Sequence, residues 1–228
     1  MITVISLGGS IVAPDGVDVP FLKNFCALTA EELAKDDKRR FIFVVGGGGP
    51  ARAWQQAYRE IAEADARDEE ADWIGVMATR LNARLVKAVM GKWCVLPVIT
   101  NPSEAGPFEG RVLVASGWKP GFSSDYDAVL LAERFSSDAL INLSNIAQVY
   151  TGDPRKNPEA KPIDSISWED FRAMVGDEWV PGKNVPFDPV ASRYAARLGL
   201  KVICAAGRDL ENLRKLLAGV PFLGTTIG

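Results

Sequence analysis

Apolar residues follow two rhythms along this chain. The unbroken run at 41–45 reads as a strand buried on both faces, as in a parallel sheet, and the largely apolar stretches at 2–7, 139–143 and 202–205 read as further strands of that core. Shorter strands are expected at 95–99 and 111–115, and residues 224–227 as an added edge strand. Elsewhere apolar positions recur at helical spacing: Phe21, Leu22, Phe25, Leu28 and Leu33 within 18–34, then Trp54, Ala57, Tyr58 and Ile61 after Arg52. A long helix is expected over 72–90, with Ile74, Met77, Ala78, Leu81, Leu85 and Val89 on one side. Further helices are expected over 128–135, 166–175, 188–198 and 210–217. The charge runs at 35–40 and 65–70 read as solvated connections. This alternation predicts an α/β fold, a three-layer αβα sandwich with a mainly parallel central sheet.

Two of the strands run straight into glycines. The first ends in Gly8-Gly9-Ser10 and the second in Gly46-Gly47-Gly48-Gly49-Pro50-Ala51-Arg52. Glycines let the backbone turn sharply and bring its N–H groups close to a ligand. Pro50 suits the first position of a following helix, whose free N–H groups favour an anion, and Arg52 would fork onto phosphate oxygens from the first turn. Such turns at the carboxyl edge of a parallel sheet point to one phosphate site, although a ligand-free strand-to-helix turn reads equally well from one of them alone. Asp72 reads first as a cap at the start of its helix. Residues 116–125 are dense in turn formers and hydroxyls, with Ser124 or Asp125 as the expected cap of the next helix.

Composition narrows the chemistry. A net charge of −3 over 228 residues argues against general binding of nucleic acid or a membrane surface. The chain has no histidine, which removes histidine-based triads and histidine-ligated zinc. Its three cysteines, Cys26, Cys94 and Cys204, lack metal-ligand spacing, and Cys26 and Cys204 read as core thiols. No signal-peptide pattern or membrane-length apolar run is present, so the cytoplasm is the expected compartment.

Five ordered stretches resemble the amino acid kinase family, and within it the archaeal-type uridylate (UMP) kinases. They are Ser-Leu-Gly-Gly-Ser at 6–10, Val-Val-Gly-Gly-Gly-Gly-Pro-Ala-Arg at 44–52, Asp-Trp-Ile-Gly-Val-Met-Ala-Thr-Arg-Leu-Asn-Ala at 72–83, Lys-Pro-Gly-Phe-Ser-Ser-Asp at 119–125, and residues 144–161 with Phe-Asp-Pro-Val-Ala at 187–191 behind them. The resemblance implies transfer of the γ-phosphate of ATP to UMP, with Mg2+ on the nucleotide phosphates. It implies one domain over 1–228, an acceptor lobe at about 1–135 and an ATP lobe at about 136–228. By resemblance Ser6, Leu7, Gly8, Gly9, Ser10, Gly48, Arg52, Ser144, Asn145, Tyr150 and Asp153 belong to ATP. Tyr150 is the expected adenine platform. Gly47, Asp72, Trp118, Lys119, Pro120, Gly121, Phe122, Ser123 and Ser124 belong to UMP, which replaces the capping reading of Asp72. Asp125 orients a basic group or metal-bound water, and the expected assembly is a dimer or a hexamer. Transfer through a loose transition state asks for positioning and positive charge more than for a base, so the lack of histidine is no obstacle.

The chain departs from this pattern in three places. Many family members carry a lysine where this chain has Ser6, so another cation must serve; Lys183 is the first candidate, followed by Lys156, Lys119 and Arg52. Ala147-Gln148 replaces a usual Asp-Gly, which predicts a different turn before Tyr150, since glutamine tolerates positive φ poorly. Trp118 and Phe122 are bulkier than the usual acceptor-loop residues. A same-fold kinase for another nucleoside monophosphate, a carboxylate or a carbamate, and a non-catalytic nucleotide- or oxyanion-binding oligomer, remain the alternative readings.

Overall fold

The computed structural model describes residues 1–137, 139–154, 156–178 and 185–228. The chain opens with β1 (Ile2–Leu7), the short α1 (Gly9–Val12), α2 (Val19–Lys35) and β2 (Arg40–Val45). Next come α3 (Gly48–Ala62), α4 (Asp68–Met90), β3 (Val112–Ala115), α5 (Ser124–Arg134) and β4 (Ala139–Ser144). A small hairpin of β5 (Val149–Tyr150) and β6 (Pro162–Ile163) precedes β7 (Ser165–Ile166), α6 (Trp168–Val175) and α7 (Pro189–Leu198). The described chain ends with β8 (Lys201–Ala206), α8 (Leu210–Leu217) and β9 (Thr225–Ile227).

Seven strands form one sheet in the order β3-β2-β1-β4-β8-β9-β7. All neighbours pair in parallel except β8 with β9. Each strand residue sends its side chain to one face, and both faces are covered. Ile5, Leu7, Phe41, Phe43 and Val45 pack on α2, α4 and α8, through Phe25, Leu28, Val86 and Leu213 among others. Val4, Ile42, Val44, Leu140 and Val202 pack on α5, α6 and α7, through Val129, Phe171 and Ala195. The protein is therefore a three-layer αβα sandwich, as the alternation of its apolar runs predicts. Chain order runs outward from β1 in one direction to β3 and from β4 in the other to β8. This places a topological switch point between β1 and β4, where open α/β sheets bind ligands.

Several expectations need correction. Residues 95–99 form no strand; only Ile99 makes a single parallel bridge, to Ala115. Residues 225–227 do pair with the sheet, but β7 covers their outer side, so they are not its edge. The helix after β2 starts at Gly48, and Pro50 is its third residue, still within the turn whose N–H groups have no helical partners. Helix α4 starts at Asp68, so Asp72 is not a cap; Asp68, Glu69 and Glu70 occupy the first turn. The buried face of α4 differs from the apolar side that the spacing picks out. Ala71, Val76, Asn82, Ala83, Val86 and Met90 are buried, while Met77, Leu81 and Val89 are exposed. The helix carries two apolar stripes, and periodicity alone does not say which one meets the sheet. Ser123, and neither Ser124 nor Asp125, caps α5, its hydroxyl accepting from Tyr126 N–H.

The described residues contain no positive-φ residue at 147–148. Gln148 is instead buried, its amide donating to Asp164 Oδ1 at 2.8 Å and to the Gly224 carbonyl at 3.2 Å. The substitution ties the β5 hairpin to the C-terminal strand. Cys204 is fully buried, which pushes its thiol up to about 12, and Cys26 is half-buried with its thiol raised to about 11. Cys204 lies within the core and Cys26 packs against it. No helix among the described residues is long and apolar enough to cross a membrane.

Candidate active site

The glycines after β1 and β2 first serve each other. A Cβ on Gly9 would overlap the Gly48 nitrogen, and one on Gly46 would lie 2.5 Å from the Gly9 nitrogen. Gly48 has φ +69, a conformation that L side chains rarely adopt, and a Cβ there would also overlap the Ala13 carbonyl. The two turns therefore pack backbone against backbone at the carboxyl edge of the sheet. Buried Asn82 locks the second turn from α4, its amide donating to the Gly46 carbonyl at 2.9 Å and the Gly47 carbonyl at 3.0 Å.

A cavity of about 440 Å³ opens beside these turns. Three helix N-termini reach it: α3 with Gly47 and Gly48, α5 with Ser123 and Ser124, and α7 with Asp188 and Val190. No side chain caps α3; within its first turn the Gly49 N–H donates to the Ala13 carbonyl at 2.8 Å and Pro50 has no N–H, which leaves the N–H of Gly48 on the cavity side. Arg52, Lys119, Gly121 and Phe122 also line the cavity, as does the wall of α4 built from Asp72, Gly75, Val76 and Thr79. These last four recur at i, i+3, i+4 and i+7, one face of the helix.

Asp125 lies behind the cavity. Its Oδ1 accepts from the Ser6 hydroxyl at 3.0 Å and its Oδ2 from the Asp188 N–H at 3.2 Å. Protein crowds this carboxyl and pushes it up to about 6, with the nearby Asp188 charge adding to the rise and the Ser6 hydrogen bond opposing it. Asp188 is raised as well, again mainly by burial. Ser6 thus places a neutral hydroxyl on a carboxyl whose ionisation is opposed by burial.

The acceptor-type loop is held from two sides. Thr79 Oγ1 accepts from Gly117 N–H at 2.8 Å, Asp72 Oδ2 from Gly121 N–H at 3.1 Å, and Asp127 Oδ2 from Trp118 N–H at 3.1 Å. Arg80 donates to the Trp118 carbonyl at 3.2 Å. The Trp118 and Phe122 rings pack at a 45° tilt with centroids 5.0 Å apart, and Lys119 Nζ sits 4.0 Å from the Trp118 ring centroid. Lys119 is thus drawn to the aromatic faces. Arg52 is exposed and donates to the Pro14 carbonyl at 3.1 Å.

Among the expected site residues, the cavity gathers Gly47, Gly48, Arg52, Asp72, Lys119, Gly121, Phe122, Ser123 and Ser124. Trp118 and Pro120 belong to the same loop without lining it. Residues 6–10 and Ser144 lie on the carboxyl ends of β1 and β4; Gly8 N–H donates to the Leu143 carbonyl at 3.0 Å and Gly207 N–H to the Ser144 carbonyl at 2.8 Å. Asn145 is exposed, Tyr150 is in the β5 hairpin, and the Asp153 carbonyl accepts from Asn157 N–H at 2.8 Å in the following turn. Lys156 is exposed, and Lys183 lies outside the described residues. Sequence reasoning missed Gln55, Thr79, Arg80, Asn82 and Asp127. Three of these lie within the quoted stretch 72–83, and the helical spacing from Asp72 to Thr79 was the available signal.

The sequence pattern of the amino acid kinase family matches residues 1–206. The uridylate kinase of Methanospirillum hungatei is 35% identical over 227 residues, covering 98% of this chain and 93% of that protein. The uridylate kinase of Thermoplasma volcanium is also 35% identical, over 98% of this chain and 96% of that protein. The crystal structure of uridylate kinase from Archaeoglobus fulgidus superposes with a TM-score of 0.82 at 31% identity, covering 100% of both chains.

Proposed function

The chain belongs to the amino acid kinase family, and on that premise we propose that it is a uridylate kinase, transferring the γ-phosphate of ATP to UMP to give UDP and ADP. The observation that carries this reading is the cavity beside the glycine turn that follows β2. Two interlocked glycine turns and three helix N-termini meet there, and Asp72 stands on the α4 wall. In this reading residues at about 1–135 form the acceptor half and those at about 136–228 the ATP half.

An oxygen of the UMP phosphate attacks the γ-phosphorus as the bond to the β-phosphate oxygen breaks, and ADP leaves with the electron pair. Such a transfer needs alignment and positive charge, which amide dipoles and cations supply without a general base. Gly47 and Asp72 receive UMP, together with the loop from Trp118 to Ser124. Ser6 through Ser10, Gly48, Arg52, Ser144, Asn145, Tyr150 and Asp153 serve ATP. Arg52 and Lys119 line the cavity and supply positive charge in place of the lysine absent at Ser6. Asp125 orients the groups around the transfer through Ser6 and the start of α7.

Mg2+ enters as part of the ATP substrate. Among the described residues no three carboxylate or thiol groups converge as a metal cage, while Asp125 and Asp188 offer carboxylates near the glycine turns. That donor set fits an ion held largely by phosphates and water, which a single protein carboxylate can orient.

A homo-oligomer, dimer or hexamer, goes with this reading, as does the cytoplasm. Trp54 and Ile61 on α3 and Met77 and Leu81 on α4 expose large apolar side chains on two packed helices, and α3 buries none of its residues. Chromatographic separation of a mixture of protein, ATP, Mg2+ and UMP tests the activity. UDP and ADP should appear in equal amounts; ADP without UDP would refute it.

A further inference from the structure

We propose that Asp127 and Arg80 are positioning residues for the acceptor, acting together through the peptide groups of Trp118. Asp127 accepts from the Trp118 N–H at 3.1 Å, and Arg80 donates to the Trp118 carbonyl at 3.2 Å. Two ionisable side chains of opposite sign, one on α5 and one on α4, therefore pin the backbone of one residue. Thr79 and Asp72 hold Gly117 and Gly121 on either side, so the loop is gripped along its length.

The grip is costly. Asp127 is 0% exposed, its Oδ1 has no hydrogen-bond partner, and the Nε of Arg80 is likewise buried and unpartnered. These are two of the three such side-chain atoms found among the described residues. Leaving a buried polar atom unsatisfied costs on the order of 1–3 kcal/mol, and more when the group is charged. A loop selected for stability alone would be served better by neutral, fully satisfied anchors.

What the anchors fix is the cavity wall. With its backbone held, the Trp118 ring packs at a tilt against Phe122, and the Lys119 ammonium sits 4.0 Å and 5.0 Å from the two ring centroids. Phe122 and Lys119 both line the cavity, whereas neither Asp127 nor Arg80 does. Arg80 also leans on Trp73, 5.8 Å from its ring centroid, which orients the guanidinium from behind. Asp127 and Arg80 thus set the position of an aromatic face and a cation at the acceptor side while touching neither substrate. This rests on the reading of the cavity as the UMP site.

The test is steady-state kinetics on Asp127→Ala, Asp127→Asn and Arg80→Met, paired with amide hydrogen exchange of the 117–121 segment without ligand. Loss of one buried anchor should raise KM for UMP on the order of tenfold, with KM for ATP changed less than about twofold. Asp127→Asn keeps an oxygen for the Trp118 N–H and should recover most of what Asp127→Ala loses. Exchange of the Trp118 amide should accelerate in Asp127→Ala and much less in Asp127→Asn. Equal rises in both KM values, or an Asn variant no better than the Ala variant, would overturn the proposal. If Asp127→Ala does not fold, Asp127→Asn and Arg80→Met decide by the same KM split. Should the wild-type protein not turn over UMP, the reading of the acceptor fails, and unchanged exchange in the variants would separately refute the anchoring.

Discussion

Asp127→Asn should make the protein more resistant to unfolding above neutrality and leave that advantage behind in acid. Asp127 is buried, and burial, aided by the Asp125 charge and opposed by the Trp118 N–H, pushes its carboxyl from 3.8 up to about 7. Between those values the folded state holds a proton that the unfolded state releases. Wild-type stability therefore falls as pH rises through this window, and the cost of the buried charge is fully felt above about 7. At ~1.4 kcal/mol per pKa unit, the cost approaches about 4 kcal/mol as an upper value. For a chain of this size each kcal/mol moves Tm by roughly 2–4 °C. Asparagine has no proton to lose, so urea unfolding of the two proteins at intervals from pH 4.5 to 8.5 isolates the effect. Any packing penalty of the amide adds a constant offset and leaves the slope untouched. The stability difference should shift toward the variant by several kcal/mol across the series. A difference that stays flat with pH would refute the reading of Asp127 as a buried, reluctantly charged group.

Other consequences follow from the same geometry. Asp72→Asn should raise KM for UMP more than KM for ATP in initial-rate measurements, and equal loss of both would remove Asp72 from the acceptor side. Gly9→Ala would drive a methyl into the Gly48 backbone and should abolish activity and lower Tm sharply, whereas Gly16→Ala, with nothing within 4 Å, should leave both unchanged. Ile61 is 84% exposed, and Ile61→Glu should shift the sedimentation of the protein toward a smaller species; an unchanged profile would take this face of α3 out of the assembly.

Much of the fold was legible because the sheet is buried on both faces. Uninterrupted runs such as Phe41 to Val45 admit little else, and Leu210–Leu217 ends where its apolar spacing ends. The glycine turns were legible as sharp turns after two buried strands, but their mutual packing was not, because a contact between Gly9 and Gly48 leaves no mark in either local sequence. Helix α4 shows the limit of periodicity: Met77, Leu81 and Val89 keep helical spacing as faithfully as Val76, Ala83 and Val86, yet only the second set meets the core. Residues 95–99 have the composition of a strand but make only the one bridge through Ile99, and strand character needs a neighbour as much as it needs valine. In the site, Asp72, Lys119 and Phe122 were found by resemblance. Arg80 and Asp127 were not, since what joins them is a shared tertiary partner, Trp118, 38 and 9 residues away.

The central claim is that the cavity beside the glycine turn after β2 accepts UMP from one side and the γ-phosphate of ATP from the other. Its most direct test is the initial rate of ADP formation with ATP, Mg2+ and a panel of acceptors: UMP, CMP, AMP, GMP, acetate and carbamate. The account predicts the highest kcat/KM with UMP, and loss of UMP turnover in Asp72→Asn at UMP concentrations that sustain the wild-type enzyme. A faster rate with any other acceptor, or tight UMP binding without ADP release, would contradict it.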